Sequence, residues 1–336
     1  MNQRIKDLLR HAFHSSGAIA AVRKIERHSL RILLYHRFSM DTARLREQCE
    51  HICRCYHPVS LTLVGQSLKT GKPLPANSLA ITVDDGYRDF FLYGYPVFRD
   101  FNLPVTVYLV SDFLDRQSWL WWDKLQYSFQ STAEQSLSVE WPSGHKQDFI
   151  IETREQRRRV YEEVRECLKK VGDDDRLRLL DQIPKRLRVG IPPSPPPEWS
   201  PLGWDEVRQM SREGIEFGAH TKSHPILSRI SDITKIQDEI AGCKARIEEE
   251  LGQTVLHFSY PNGTLADINK QSVEAVIQAG FCTAVTAERG LNSRNTDLFL
   301  LRRVGAEPDG ATYYFQELLA GIVDARGVEA RRCSLP

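Results

Sequence analysis

The chain has 336 residues, of which 41% are hydrophobic, and this content is typical of a globular protein rather than a disordered one. Its 45 basic and 44 acidic residues leave a formal net charge of +1, which excludes a protein that attracts nucleic acid through a strongly positive field. No apolar stretch approaches the roughly 18 residues that a membrane-spanning helix needs.

Residues 1–30 are predicted to form an amphipathic N-terminal helix, because apolar residues such as Ile5, Leu8 and Phe13 recur at helical spacing opposite a basic face. Packing on the domain that follows explains this pattern, and a helix lying on a membrane surface is the alternative. Charged residues interrupt the segment too early for the apolar region of a signal peptide. The seven cysteines are an odd number, which does not suggest the paired disulfides of a secreted protein. We therefore predict a cytoplasmic protein, with peripheral membrane contact through residues 1–30 as the alternative.

From residue 31 onward, short apolar runs alternate with helical patterns, and we assign residues 31–336 to one domain. The apolar runs typical of buried strands are 31–36, 79–83, 104–110, 214–220, 255–260, 281–286 and 298–304. The helical patterns are 42–56, 87–101, 204–213, 233–251 and 267–280. This alternation favours an α/β fold with a parallel sheet, and periodicity alone leaves open whether the sheet closes into a barrel.

Residues 112–200 interrupt that alternation and are predicted to form an insertion on one connection. The segment begins with the aromatic patch Trp119-Leu-Trp-Trp122 and continues as a charged, helical stretch from 152 to 188. It ends in Ile191-Pro-Pro-Ser-Pro-Pro-Pro197, which is stiff and extended. Because its apolar content looks thin, we interpret it as a partly helical insertion rather than an independent domain.

Two neighbouring aspartates end the second predicted strand, in Ile81-Thr-Val-Asp-Asp-Gly-Tyr87. The carboxyl ends of strands are where α/β folds place their ligands. Two adjacent carboxyl groups shift each other's pKa values apart unless a cation binds one of them. One aspartate bound to a metal ion and the other acting as a base is therefore a physically sensible arrangement. An ordinary Asp-Asp-Gly turn is the alternative.

Two histidines follow another predicted strand, in Gly218-Ala-His-Thr-Lys-Ser-His-Pro225. Imidazole is a common zinc ligand, although a structural role explains either histidine taken alone. Together with the aspartates, His220 and His224 give three protein ligands and an open fourth position, which is typical of a catalytic zinc site.

A third strand ends in the turn His257-Phe-Ser-Tyr-Pro-Asn-Gly263. A backbone N–H in such a turn can point at a developing oxyanion, and a plain strand-ending turn explains these residues equally well.

Together, the three segments resemble the polysaccharide deacetylases of carbohydrate esterase family 4. The resemblance rests on the order Thr82-Val-Asp-Asp-Gly86, His220-Thr-Lys-Ser-His-Pro225 and Tyr260-Pro-Asn-Gly263, supported by Leu34-Tyr-His-Arg37, Trp204-Asp-Glu-Val207 and, loosely, Trp121-Trp-Asp-Lys124. It covers roughly residues 31–305. The family implies a distorted (β/α) barrel of about seven strands and hydrolysis of N-acetyl groups on amino sugars.

The resemblance also implies roles for individual residues. By position, Asp84 is the catalytic base, and a divalent metal, with zinc expected, is bound by Asp85, His220 and His224. Metal-bound water would attack the amide, and a carboxylate base would complete its activation. The backbone N–H of Asn262 would help to hold the oxyanion, and Tyr260 beside it is the other residue expected to bind substrate.

The sequence departs from the family pattern in two places. Many relatives carry an arginine where Ser259 stands, and Arg303 on the last strand is expected to supply that charge. By the two-residue period of a strand, Arg302 and Arg303 face opposite ways, and the positional match favours Arg303 as the inward one. Many relatives also have a late histidine as general acid, which this chain lacks after His257. His36 and a reprotonated Asp84 are the remaining candidates.

The predicted function is therefore removal of N-acetyl groups from an amino sugar in a glycan or glycan precursor, with no nucleic-acid partner. Hydrolysis of another amide or an O-acetyl ester at the same metal is one alternative, and an inactive glycan-binding barrel is another.

Two further patterns predict no site. The segment Cys49-Glu-His-Ile-Cys-Arg-Cys-Tyr-His57 lacks the usual spacing of zinc ligands, and buried thiols on an apolar helix face explain most of it. The run Arg157-Arg-Arg159 lies among glutamates and is typical of a solvated helix face.

Overall fold

Parallel strands form a closed barrel in the computed structural model, which describes residues 17–322. The barrel strands are β1 (Arg31–Tyr35), β3 (Ser78–Val83), β4 (Val105–Leu109), β7 (Glu216–Ala219), β8 (His257–Ser259), β9 (Thr283–Arg289) and β10 (Leu301–Gly305). They pair in that order, and β10 pairs with β1 to close the ring. A short strand, β2 (His57–Pro58), pairs with β3. The predicted seven-stranded (β/α) barrel is confirmed, and each predicted strand is present with ends shifted by a few residues.

Helices cover the outside of the barrel. In chain order the helices are α1 (Ala18–Ile25), α2 (Ala43–Cys55), α3 (Leu61–Thr70), α4 (Tyr95–Asp100), α5 (Ser111–Leu114), α6 (Trp121–Ser131), α7 (Arg154–Leu168), α8 (Asp173–Arg186), α9 (Trp204–Arg212), α10 (Ile233–Gln237), α11 (Cys243–Leu251), α12 (Lys270–Gln278) and α13 (Thr312–Ala320). The predicted helices at 87–101 and 233–251 each contain a π-helical segment, Phe90–Gly94 and Asp238–Gly242. Helices α3 and α13 lie where no helix was predicted.

The predicted N-terminal helix is only partly within the described residues, since residues 1–16 lie outside them. The described part, α1, packs against α13, with Ile19 buried and Ile25 76% exposed. Between residues 17 and 322, no helix is long and apolar enough to cross a membrane.

The two-residue period of the strands separates an inner from an outer set of side chains. Ile32, Ala80 and Leu301 pack together in a cluster distinct from the core beneath the helices. Two residues further along the same strands stand Leu34, Thr82 and Arg303. The barrel interior therefore changes from apolar to polar towards the carboxyl ends of its strands.

The insertion between β4 and β7 has a hydrophobic core of its own. Helices α6, α7 and α8 pack with an antiparallel hairpin of β5 (Ser136–Glu140) and β6 (Lys146–Ile150). This core contains more apolar residues than the sequence led us to expect. They were hard to recognise because they alternate with charged residues along the hairpin and the helices. The partly buried Trp122 packs against both this core and the main one. The division into residues 1–30 and 31–336 stays a prediction.

Candidate active site

A cleft of about 610 Å³ opens at the carboxyl ends of the barrel strands. Every site residue predicted from the sequence lines it: His36, Asp84, Asp85, His220, His224, Tyr260, Asn262 and Arg303. These residues follow or end different strands, so closure of the barrel brings together motifs that lie up to 267 positions apart (303 − 36) in the sequence. The remaining lining residues include several from the insertion.

The carboxylate of Asp84 is bound by both arms of the Arg303 guanidinium. Nη1 donates to Oδ1 and Nη2 donates to Oδ2, each at 2.7 Å. The guanidinium also donates to the hydroxyls of Thr82 and Ser259, and its Nε donates to the carbonyl of Thr286 at 2.7 Å. Arg303 is only 2% exposed, so these contacts satisfy a charge that is fully withdrawn from water.

This pairing decides the protonation state of Asp84. Burial alone would raise its pKa, but the charge and hydrogen bonds of Arg303 outweigh burial and hold the pKa well below its ordinary value. Asp84 is therefore ionised at neutral pH. Arg302, its neighbour on β10, points outward and is exposed, as the facing argument from the sequence requires.

Three donor groups beside Asp84 surround one position. The Nε2 atoms of His220 and His224 lie 3.1 Å apart, and each is 3.6 Å from Oδ1 of Asp85. All three residues are buried. Among the described residues, this is the one group of three or more His, Cys, Asp or Glu side chains close enough to hold a metal ion. Two imidazole nitrogens and one carboxylate oxygen are ligands that suit zinc.

The electrostatics of the three residues fit a bound cation. Nδ1 of His220 donates to the carbonyl of Ser259 at 2.7 Å, which leaves the lone pair of Nε2 for the shared position. Burial lowers the pKa of His220 to about 4 and that of His224 well below its ordinary value, so both rings are neutral at pH 7. Burial and the charge of Asp84 raise the pKa of Asp85, so this carboxyl needs a nearby cation to stay ionised.

The backbone at these positions adopts an uncommon conformation. Asp85 (φ 76°), His224 (φ 58°) and Asn262 (φ 55°) all lie in the left-handed region, although none is glycine. Such residues cluster where the surrounding structure holds a functional geometry. At Asp85, the turn continues into Gly86 (φ 83°), where an added Cβ would lie 3.0 Å from the side chains of Leu109 and Leu114.

The turn after β8 presents free donors to the cleft. The backbone N–H of Asn262 donates no hydrogen bond to any described residue, and its side-chain Nδ2 is buried without a partner among them. The hydroxyl of Tyr260 is likewise buried and unpartnered within residues 17–322. Gly263 (φ 73°) is required in this turn, since a Cβ would lie 2.7 Å from the backbone nitrogen of Ala287. His36 also lines the cleft and is an exposed residue.

The insertion adds a polar cluster to which the sequence reasoning gave no role. Oδ2 of Asp123 accepts a hydrogen bond from the hydroxyl of Tyr87 at 2.6 Å, and the indole of Trp122 donates to the same hydroxyl at 3.0 Å. The Trp122 ring also packs edge-on against His224, with centroids 4.5 Å apart. Burial raises the pKa of Asp123 to about 7. The available signal was Trp121-Trp-Asp-Lys124, which supported the family resemblance only loosely.

Comparison with known proteins places this geometry in a family. Residues 71–284 match the family model described as polysaccharide deacetylase. The poly-beta-1,6-N-acetyl-D-glucosamine N-deacetylase of Escherichia coli (strain K12) is 33% identical over 78 residues, which make up 23% of this chain and 12% of that protein. The chain therefore matches a small part of that relative's length.

Two solved structures share the fold across most of the chain. The Streptococcus pyogenes deacetylase PplD, determined in complex with acetate, superposes with a TM-score of 0.56 at 15% identity, covering 87% of this chain and 98% of that one. The BpsB deacetylase domain from Bordetella bronchiseptica gives 0.53 at 16% identity, covering 83% and 96%. These likenesses show the fold. Because the family model spans more than half of the 336 residues, the chain belongs to the polysaccharide deacetylase family.

Proposed function

We propose that this protein is a metal-dependent hydrolase that removes N-acetyl groups from an amino sugar in a glycan or glycan precursor. The observation that carries the proposal is the Asp84–Arg303 pair directly beside the Asp85, His220 and His224 cluster, in one open cleft. Family membership supports a carbohydrate substrate. The name of the Escherichia coli relative supports an N-acetylated amino sugar.

Asp84 is the proposed general base. A base must be ionised before it can take a proton, and Arg303 keeps Asp84 in that state. Each carboxylate oxygen has two acceptor sites. Oδ2 accepts from Arg303 and also from the hydroxyl of Ser259 at 3.2 Å, whereas Oδ1 accepts only from Arg303 among the described residues and can take another hydrogen. Asp84 can therefore receive a proton from water in the cleft while Arg303 fixes the direction of its carboxylate.

Asp85, His220 and His224 would hold the metal ion, for which zinc is expected. When bound, such an ion polarises an acyl oxygen and lowers the pKa of water. The residues of the chain orient the donors: the carbonyl of Ser259 fixes the ring of His220, and the Trp122 indole packs on the ring of His224. All three ligands line the cleft, so substrate can reach their open side.

Two further steps have candidate residues. The unpartnered N–H groups of Asn262 and the hydroxyl of Tyr260 would bind the acyl oxygen and other polar groups of the substrate. The leaving amine needs a proton, which His36 or the reprotonated Asp84 would donate. A cytoplasmic location, and contact of residues 1–30 with a membrane surface, stay predictions that cell fractionation tests.

Acetate release from defined substrates tests the proposal. The zinc-loaded protein is incubated with N-acetylglucosamine oligosaccharides and with O-acetylated sugar esters of matched size. We expect equal amounts of acetate and free amine from the oligosaccharides, and neither product after chelation of the metal. Release from the esters alone would indicate an esterase, and oligosaccharide binding without any acetate would indicate an inactive glycan-binding barrel.

A further inference from the structure

A groove on the insertion continues the catalytic cleft. It has a volume of about 260 Å³ and lies between helices α6 and α7. Gln126, Tyr161 and Arg165 line both the groove and the cleft, so the two spaces are continuous. A glycan with one sugar at the metal cluster can therefore extend along the groove while remaining in contact with the protein.

The groove is strongly basic. Its arginines all come from α7: Arg154, Arg157, Arg158 and Arg165. Glu162 is the one carboxylate in the lining, and it pairs with Arg165 at 2.7 Å. Neither Arg154 nor Arg158 forms an ion pair with any described residue, and both are exposed. The groove thus presents positive charge that the protein itself leaves uncompensated.

The sequence favours interpreting the arginine run 157–159 as one solvated helix face. In the structure, its three side chains do not all lie on the same side of α7. Arg157 and Arg158 line the groove, whereas Arg159 does not. Nε of Arg157 donates to the carbonyl of Ile151 at 2.9 Å, which anchors this guanidinium at the groove wall. The charges of α7 are therefore sorted by helix face, with an arginine-rich face along the groove.

The junction of groove and cleft holds an unsatisfied donor. Nε of Arg165 is buried and has no hydrogen-bond partner in the described part of the chain. The guanidinium lies near the Tyr161 ring, with 5.5 Å between Cζ and the ring centroid. The Arg165 side chain as a whole is 31% exposed, so the part of the guanidinium that faces the groove can reach an acceptor supplied by a ligand. Planar guanidinium groups match the oxygens of carboxylates and phosphates.

We infer that this groove binds an anionic group, a carboxylate or a phosphate, carried by the substrate outside the sugar ring that is deacetylated. The inference rests on the proposed function and names its substrate class. Arg158 and Arg154 lie seven and eleven residues from Arg165 along α7, so the helical rise places the anion between Arg165 and a point about 10–16 Å beyond it.

Binding measurements with three probes test this inference. The probes are a neutral N-acetylglucosamine hexamer, a hexasaccharide of alternating N-acetylglucosamine and glucuronate, and UDP-N-acetylglucosamine. Calorimetry uses the zinc-loaded full chain with Asp84→Asn, so turnover is not needed and failure of the deacetylase proposal would not affect the result. The test variant adds Arg154→Gln and Arg158→Gln. The control adds Arg159→Gln and Arg212→Gln, which remove the same charge from exposed positions outside the groove.

We expect the test variant to raise the Kd of at least one anionic probe roughly three- to tenfold, and to leave the Kd of the neutral hexamer unchanged. The control should leave all three values unchanged. A rise for the hexasaccharide alone would identify a carboxylate, and a rise for UDP-N-acetylglucosamine alone would identify a phosphate. An equal rise for the neutral hexamer, unchanged values for both anionic probes, or no binding of either to the parent protein would overturn the inference.

Discussion

The barrel side and the insertion side of the cleft hold their polar groups in different ways. On the barrel side, Asp84, His220 and Arg303 are each 2% exposed and bonded to other buried groups. On the insertion side, Asp123 is buried and bonded to Tyr87, but the basic side chains of Arg165 and Lys169 are each 31% exposed and pair with Glu162 and Glu166. Buried, mutually bonded groups suit fixed chemistry, whereas solvated side chains can adapt to the shape of a substrate.

Because the insertion has a core of its own, its side chains can differ in exposure and bonding from those of the barrel side without disturbing the barrel. Substitutions in α7 or α8 disturb packing within the insertion, while the strands that carry Asp84 and His220 are supported by the main core. Trp122 contacts both cores and also His224, so it links the two sides. Changes on the barrel side should therefore abolish activity, and most changes on the insertion side should only modify it.

Loss of the two histidines is the largest effect expected from this comparison. The double substitution His220→Ala and His224→Ala should reduce bound metal from about one equivalent to almost none, and activity with it, because one ligand cannot retain the ion. Elemental analysis measures the metal. His145→Ala, on the exposed hairpin of the insertion, is the control and should keep full occupancy. Undiminished metal in the double variant would contradict the site.

The two aspartates should differ from each other. Asp84→Asn should keep the metal and lower kcat by roughly 10²–10⁴-fold, because it removes a base and not a ligand. Asp85→Asn should lose metal and activity together. Metal content and acetate release are measured on the same samples. Equal metal loss in both variants would mean that the two roles are reversed.

Arg303 should control the pH dependence. Removing its charge by Arg303→Leu raises the pKa of Asp84, so the acidic limb of the kcat/KM profile should move upward by about 1–3 pH units with the metal retained. Arg302→Leu, on the outward face, should leave the limb in place. Because loss of a buried ion pair also destabilises the fold, Arg303→Lys provides a second test and should keep most of the original limb. A shift with Arg302→Leu alone would contradict the assignment.

Asp123, on the insertion side, should have the smallest effect on activity and a clear effect on stability. Its pKa of about 7 in the folded protein exceeds the ordinary 3.8, so the folded state loses stability as pH rises from about 4 to about 7. Asp123→Asn removes this loss. The free energy of unfolding of the variant relative to wild type should therefore rise by roughly 1–4 kcal/mol between pH 4 and pH 8.

Urea unfolding at several pH values measures that difference for Asp123→Asn. The exposed Asp148→Asn is the matched control and should give a difference that does not vary with pH. A pH-independent difference for Asp123→Asn would show that folding does not raise the pKa of this carboxyl.

The sequence predicted the barrel side well because its signals are local. Apolar runs marked each barrel strand, and the polar motifs stood at the carboxyl ends, where a parallel barrel brings them together. The two-residue period placed Arg302 and Arg303 on opposite faces, and the positional match to the family selected Arg303 as the inward one. Helix α3 was missed although Ser60 caps its beginning and Gly71 (φ 72°) its end.

The insertion side was harder to predict, because its contacts depend on how a separate core is oriented. Tyr87 and Asp123 are 36 residues apart, and no local pattern indicates that they share a hydrogen bond. The face of α7 that lines the groove could not be predicted either, since any charged helix shows the same mixture of Arg and Glu. Only the packing of α6 beside it distinguishes Arg158 from Arg159.

The backbone of Thr221 has a consequence for attempts to make this protein more robust. A β-branched residue at φ 65° is conformationally unfavourable, yet its hydroxyl bonds the carbonyl of His220 and the N–H of His224. A glycine there would relieve the strain and lose both bonds. Because relief of strain and loss of two buried hydrogen bonds act in opposite directions, the melting temperature of a Thr221 variant does not report on the order of the histidine loop, and such variants should be screened for metal retention as well.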